Sequence, residues 1–400
     1  ANTTANYGTA IGYEALTTNT TGNYNTAVGF YALRLNTTGT ENTASGVGAL
    51  GANTTGSYNC GYGSGALDAN TTASNNVAMG FNALTTNTTG ASNTAVGKGS
   101  LSDNSTASNN TAVGFNSLNL NTTGGNNTAV GYQALDANTT GADNVALGAV
   151  ALSANTTASS NTAIGESALK VNTTGANNVA VGAAALDANT TASNNVAMGF
   201  NALGANTTGA ENTAVGGGSL DSLTTGEENV AVGYNNDVDD GGRIRSFGLG
   251  VNLSLATNNS VKIGNAGTNI QCDWGGGATW SHNSDERLKN NIQDSSLGLD
   301  FINDLRPVTY KWKEQEDVPE EIKDESERDT KSLQHGLVAQ EVKATLNKLG
   351  VNEFSGWSEG ENSIQRISES MYVFPLIKAV QELSTQVDEL KAEITTLKGE

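Results

Sequence analysis

Ser284 and Lys289, in S-D-E-R-L-K-N-N-I, are the one pair in this 400-residue chain whose types and spacing could make and break covalent bonds. A serine hydroxyl is a weak nucleophile until a base takes its proton. A lysine amine can be that base if desolvation lowers its pKa from about 10.4. Five residues along a helix rotate a side chain by about 500°, which leaves the two on different faces. They can meet only if Ser284 lies in an extended lead-in and Lys289 on the first helical turn, or if they come from different chains. The same residues also admit a plainer reading, Ser284 and Asp285 as a helix N-cap. Asp285, Glu286 and Arg287 either hold a strand to be cut or are ordinary first-turn charges. Cys60 and Cys272 lie far apart with no metal-ligand spacing, and no metal or other cofactor is expected.

The elements around this pair divide the chain by composition. The first 240 residues hold 15 acidic and 3 basic side chains, so most of both signs lies in the last 160. The net charge of -20 argues against nucleic-acid binding, which needs a basic face to release counterions. No apolar run approaches the roughly 20 residues of a bilayer span. The opening A-N-T-T-A-N is no signal peptide, and Ala1 reads as the edge of a fragment.

A period of 17 organises the first part. N-T-T or a near variant starts at Asn2, Asn19, Asn36 and so on to Asn206, then at Leu223, with no insertion. The unit N-T-T-[GA]-x-x-N-[TV]-A-[VIM]-G-x-x-[AS]-L-x-x interrupts every helical spacing with Gly and Asn. It predicts a short N-T-A-V-G strand, a bend, a second short A-L strand and an N-T-T-G turn, stacked as a narrow β-solenoid. At about 4.8 Å per coil the stack would run about 65 Å. Gly at position eleven of every copy marks a positive φ or a backbone too close for a Cβ. Leu at position fifteen, from Leu16 to Leu220, forms an internal ladder. Asn at positions one and seven forms side-chain amide ladders. The N-x-T triplets fit N-glycosylation as well as stacking, and paired Thr columns fit an ice-binding face. Adjacent Thr3 and Thr4 would point to opposite sides of a strand, which weakens that last reading. Position twelve (Tyr13, Phe30, Phe81, Lys98, Phe115, Tyr132, Glu166, Phe200) is the expected outward row, facing sister chains or a receptor. Units such as N-T-A-V-G-x-x-A-L resemble the repeats of trimeric autotransporter adhesin heads and phage tail-fibre shafts over about residues 2 to 234.

The consensus stops after Tyr234, and strand-and-turn text follows to His282. From Ser284 the text changes: L-G-L-D-F-I-N-D-L at helical spacing, R-P-V-T-Y-K-W-K with Val308, Tyr310 and Trp312 alternating as on one strand face, and a charged loop from Lys313 to Lys331. H-G-L-V-A-Q-E-V (His335 to Val342) and a last helix close the chain. In that helix Val380, Val387 and Ile394 take position a of a heptad, and Leu376, Leu383, Leu390 and Leu397 position d. This is a parallel coiled-coil seam, with Glu393 at g facing Lys398 at e of a neighbour. S-D-x-R-L-K-x-x-I followed by G-L-V-A-Q-E-V resembles the endosialidase-type intramolecular chaperone family. The resemblance implies a self-cleaving domain in which Ser284 is the cleavage residue and Lys289 its partner. It also implies three copies, where β-branched a and Leu d residues alone favour two. His335 is carried over as a group that supports the reacting residues from behind or contacts a nucleotide, with a structural histidine as the other reading.

The expected fold is mostly β: a 17-residue-repeat solenoid shaft (1–236), a β-rich neck (237–283), and a small α+β chaperone domain (284–400) with a coiled coil from about 375. The expected function is a homotrimeric phage tail-fibre protein, extracellular or on the virion. Its C-terminal domain aligns the shafts and removes itself by autoproteolysis next to Ser284, with no external substrate. A host-surface receptor or glycan is a possible further partner; nucleic acid and membrane insertion are not expected. A bacterial adhesin with the same shaft and an ice-binding solenoid are the alternatives.

Overall fold

The computed structural model describes residues 4–273, 280–282, 290–320, 330–360 and 363–399. The chain divides into two compact units, Ala1–Ser284 and Asp285–Glu400.

In the first unit the 17-residue period becomes a mostly β solenoid of about 15 turns. Each coil of the consensus contributes one three-residue strand, from β1 (Thr9–Ile11) to β14 (Val230–Val232). Each strand pairs in parallel with its equivalent one coil on, Thr128 with Val145 and Ala129 with Ala146. The two asparagine columns explain why the spacing never slips. Asn138 Nδ2 donates to Asn121 Oδ1 of the coil before (2.8 Å) and to Gly141 O of its own turn (2.9 Å). In the position-seven column Asn144 N donates to Asn127 Oδ1 (3.0 Å), and Asn127 Nδ2 donates to that same Gly141 carbonyl (2.9 Å). All four asparagines are fully buried, where an amide without partners would cost several kcal/mol. The position-two threonine adds a further bond to the next coil, as in Thr122 Oγ1 to Thr139 O (2.9 Å), while its neighbour Thr123 is exposed.

The glycine column answers to both causes the sequence offers. Gly131 has a φ of +141°, and a Cβ there would lie 2.4 Å from the carbonyl oxygen of Gly148 in the next coil.

The expected second strand is absent. Ala134 and Leu135 are both fully buried, and two consecutive inward side chains cannot belong to a strand, whose side chains alternate. Leu135 instead takes a left-handed φ of 55°. Its N–H then donates along the stack to Ala151 O at 3.0 Å. The conformation costs a branched L-residue about 1–2 kcal/mol, and burying a leucine returns about as much. Thirteen leucines, Leu16 to Leu220, repeat this, so the A-L segment is a turn that fills the core.

The consensus stops at Tyr234 but the stacking continues. Strand β15 (Asp237–Val238) pairs with β17 (Ser254–Leu255), and β14 with β16 (Ser246–Val251), still 17 residues apart, Val230 against Phe247. The next step, β16 on β18 (Ser260–Asn265), shortens to 14, Ser246 against Ser260. Strands β19 (Asn269–Asp273) and β20 (Trp280–His282) then run antiparallel and end the parallel series. The amide columns finish separately. Ser246 N takes up Asn229 Oδ1 at 2.9 Å, whereas Asn206 Oδ1 is buried without a hydrogen-bond partner because Leu223 stands in the next coil.

The second unit is α+β. Its elements are α1 (Leu299–Asp304), the antiparallel pair β21 (Val308–Tyr310) and β22 (Gln334–Gly336), α2 (Ala339–Lys348), the antiparallel pair β23 (Trp357–Glu359) and β24 (Gln365–Ile367), and α3 (Val373–Lys398). Leu297, Phe301, Val342, Leu346 and Tyr372 form its core. Phe354 meets Phe301 and Tyr372 edge-on, at 5.6 and 5.3 Å. Ion pairs Arg306–Glu341 and Lys348–Asp304 (2.6 Å) tie α1 and its following turn to α2. Strand β21 ends at Tyr310, so Trp312 lies past it and packs edge-on against the Tyr310 ring at 5.3 Å.

Two outcomes follow for the coils. Asn121→Ala strips the donor and acceptor that link Asn104, Gly124 and Asn138 and should lower stability in urea by about 2 kcal/mol or more. Thr123→Ala in the same turn should change it by about 0.5 kcal/mol or less. Asp136 tests the electrostatics: burial pushes its carboxyl above the usual range, against a hydrogen bond with Asn119 that lowers it, and its Oδ1 is buried without a partner. A raised carboxyl stabilises the fold fully below the unfolded value of about 3.9 and loses that contribution as pH rises through the folded value. Asp136→Asn should therefore raise the thermal midpoint at pH 7 and leave it unchanged at pH 3, as read by circular dichroism.

Candidate functional site

Ser284, Asp285 and Lys289, the residues assigned to self-cleavage, lie outside the described residues, as do Glu286 and Arg287. The chain is described on both sides of them, to His282 and from Asn290. The boundary between the two compact units falls between Ser284 and Asp285. The described chain resumes at Asn290 and runs without helix or strand to Gly298. Leu297 is then buried in the core of the second unit, with its N–H donating to Ser295 Oγ at 3.2 Å. Two residues on, the backbone N–H of Leu299 donates to Glu382 Oε2 at 2.7 Å. Nothing in the spacing of the sequence pairs these residues, which stand 83 positions apart.

His335 sits in β22, exposed, its backbone paired with Thr309. It stands at a cavity of about 600 Å³ whose wall is mostly apolar, including Ile302, Leu305, Leu337, Tyr372 and Leu376. The polar groups there are few. Burial, with Glu369 nearby, pushes the Tyr372 phenol up to about 12, so it stays protonated at neutral pH. Its hydroxyl donates to Gly356 O at 3.4 Å. No group of His, Cys, Asp and Glu among the described residues is placed to hold a metal ion.

Two apolar faces have no partner among the described residues. On α3 the heptad residues Val380, Leu383, Val387, Leu390, Ile394 and Leu397 are all exposed, Leu397 by 75%. Pro375 and Ala379 are the residues this helix buries, so the heptad stripe is turned away from its own unit. On the coils, position ten forms a second row. The alanine at position nine points inward, and the residues on either side of it therefore point out. Met79, Ile164, Met198 and Leu249 are 37–45% exposed along this row. Position twelve is outward as expected, Phe200 by 70%, with Tyr13 stacked on Phe30 (5.3 Å) and Phe115 on Tyr132 (5.5 Å). The alternation around the inward alanine was the available signal for position ten, which the motif alone presents as just another apolar strand residue.

The geometry also disposes of two surface readings. Every N-T-T asparagine from Asn19 to Asn206 is buried, and those amides are spent on the ladder, so the folded coils leave no room for a sugar there. Of the two N-T-T threonines only the second, such as Thr123, is exposed, while the first is part-buried and bonded to the next coil, so the pair does not face outward together.

No helix among the described residues is long and apolar enough to cross a membrane. No curated protein and no solved structure matches the chain. The family model described as the chaperone of endosialidase matches residues 284–351, beginning at the serine where the coiled unit ends.

Proposed function

We propose that this chain is a fibre protein of a phage tail, extracellular on the virion, in which three copies of the coiled shaft are brought into register by the C-terminal region. That region then removes itself by cutting the backbone next to Ser284. The observation that carries the reading is a coincidence of boundaries. The chaperone-of-endosialidase match starts at Ser284, the residue that closes the coiled unit. A cut there separates a finished shaft from its assembly device.

Self-association is supported by the two exposed apolar faces. The position-ten row runs the length of the stack, about 65 Å, with partly exposed apolar side chains such as Met79, Ile164 and Met198 along it. The α3 stripe has the a/d spacing of a parallel coiled coil. A shaft of identical coils needs such a clamp, because copies displaced by one 17-residue coil would pair almost as well as aligned ones.

The cleavage is written with the residues the motif supplies. Ser284 Oγ adds to a neighbouring peptide carbonyl as its proton passes to the neutral amine of Lys289. The adduct breaks its C–N bond, and the departing amine takes that proton from Lys289, which leaves an ester on Ser284. Water then hydrolyses the ester to a carboxylic acid and restores the hydroxyl. The net change is one water consumed and one peptide bond opened, with no cofactor. Release of the clamp leaves a shaft whose persistence is set by its unfolding barrier.

The test compares wild type with Ser284→Ala and Lys289→Ala by denaturing gel and intact mass. Wild type should yield a fragment of about 117 residues, the span from Ser284 to Glu400, and both variants should stay full length while still forming trimers. Cleavage that persists in Ser284→Ala would assign the cut to an outside protease. A wild type that never cleaves would make the region a permanent cap.

A further inference from the structure

The cavity at His335 reaches the surface beside the heptad stripe. Leu376, the first d residue of α3, lines it and is half-exposed. Tyr372, one residue before α3, lines it too and falls at g of the same register. The polar side chains of the wall, Thr309, His335 and Glu369, are all exposed, so the sheltered part of the hollow is apolar.

Helix α3 buries Pro375 at c and Ala379 at g against its own unit, which leaves b and e on the opposite flank. There the first heptad carries Phe374 at b and Ile377 at e, 54% and 50% exposed. Farther along, e is Ser384, Lys391 and Lys398, and b is Gln381, Asp388 and Thr395. Large apolar side chains on this flank are thus confined to the turn beside the cavity. In a parallel coiled coil the g flank of one helix meets the e flank of the next. The step of five that sets Glu393 at g against Lys398 at e also sets Tyr372 against Ile377 of a neighbouring copy. Phe374, three residues before Ile377, lies on the same side. Both therefore arrive at a largely apolar hollow of about 600 Å³.

We propose that this cavity is a socket between copies, completed by Ile377 and Phe374 of a neighbouring α3. The proposal rests on the parallel self-association argued above and adds a fixed height to it. A neighbour displaced by one heptad would bring Ser384 to Tyr372 in place of Ile377, and a hydroxyl in an apolar hollow is unfavourable. The seam does not make that distinction, because its a and d residues are valine or isoleucine and leucine throughout.

The experiment uses the full-length chain with Ser284→Ala, Cys60→Ser and Cys272→Ser, so that the C-terminal region stays attached and no native thiol reacts. Two such chains of different tagged length are co-expressed, one with Thr309→Cys in the cavity wall and the other with Ile377→Cys. After treatment with a short bifunctional thiol reagent, a covalent pair of one long and one short chain is expected. Lys391→Cys, also at e but about 21 Å farther along the helix, should give about fivefold less or lower. In the background without added cysteines, Phe374→Ser with Ile377→Ser should raise the concentration at which copies separate about tenfold or more in light scattering. That variant touches no a or d residue, and Lys391→Ser should leave the concentration unchanged. Assembled copies that link equally well through positions 377 and 391, or through neither, overturn the socket and leave self-association standing. So does a double serine variant that assembles as tightly as its parent. Single copies at every concentration overturn both readings together.

Discussion

The hydrogen bonds of the buried asparagine amides are the constraint from which the rest of this protein follows. An amide in the coil interior has one affordable arrangement, with its oxygen facing a donor one coil along and its nitrogen facing the turn carbonyl, as Asn127, Asn138 and Asn144 show. That arrangement exists only when the neighbouring coil is present and in register. A coil is therefore not a stable object alone, and stability grows by nearest-neighbour stacking. The glycine column and the left-handed leucines are consequences. With the amides fixed, the backbone must pass close at Gly131 and must turn Ala134 and Leu135 inward together.

In the proposed assembly of several copies, the same regularity creates a difficulty of alignment. Within a chain, covalent continuity keeps coil n beside coil n+1. Between chains there is no such continuity, and the outward rows at positions ten and twelve repeat with the same 17-residue step. Aromatics such as Phe81, Phe115 and Phe200, and single charges such as Lys98, break the repetition only locally. A heptad stripe has its own period and its own fixed position in the sequence. In that proposal it sets alignment where the coils cannot, through the exposed side of α3.

Much of this was legible in the sequence, and for physical reasons. The period of 17, the two asparagine ladders, the leucine core and the glycine column all follow from residue type recurring at one spacing, because in a stack every position meets its own copies. The A-L segment was misread as a strand. Apolar character at two adjacent positions does not reveal φ, though two adjacent inward residues should have argued against alternation. The stacking beyond Tyr234 was hidden because Ser246 takes the place of an asparagine and Asn236 serves from a different position. The Glu382–Leu299 bond joins residues 83 apart through geometry that no spacing encodes. Ser284 and Lys289 stood out through their motif, and their arrangement lies outside the described residues.

The most direct test of the central idea, that the coils carry no alignment of their own between copies, is a distance measurement in the full-length chain. A single spin label at exposed position 123, introduced as Thr123→Cys with Cys60→Ser and Cys272→Ser, reports separations between equivalent coils of different copies. With the α3 stripe intact the account predicts one narrow inter-copy distance. With the stripe broken by Leu383→Asp and Leu390→Asp it predicts a broad or stepped distribution, offset by coils of about 4.8 Å, or no inter-copy signal. The same narrow distance in both proteins would contradict it.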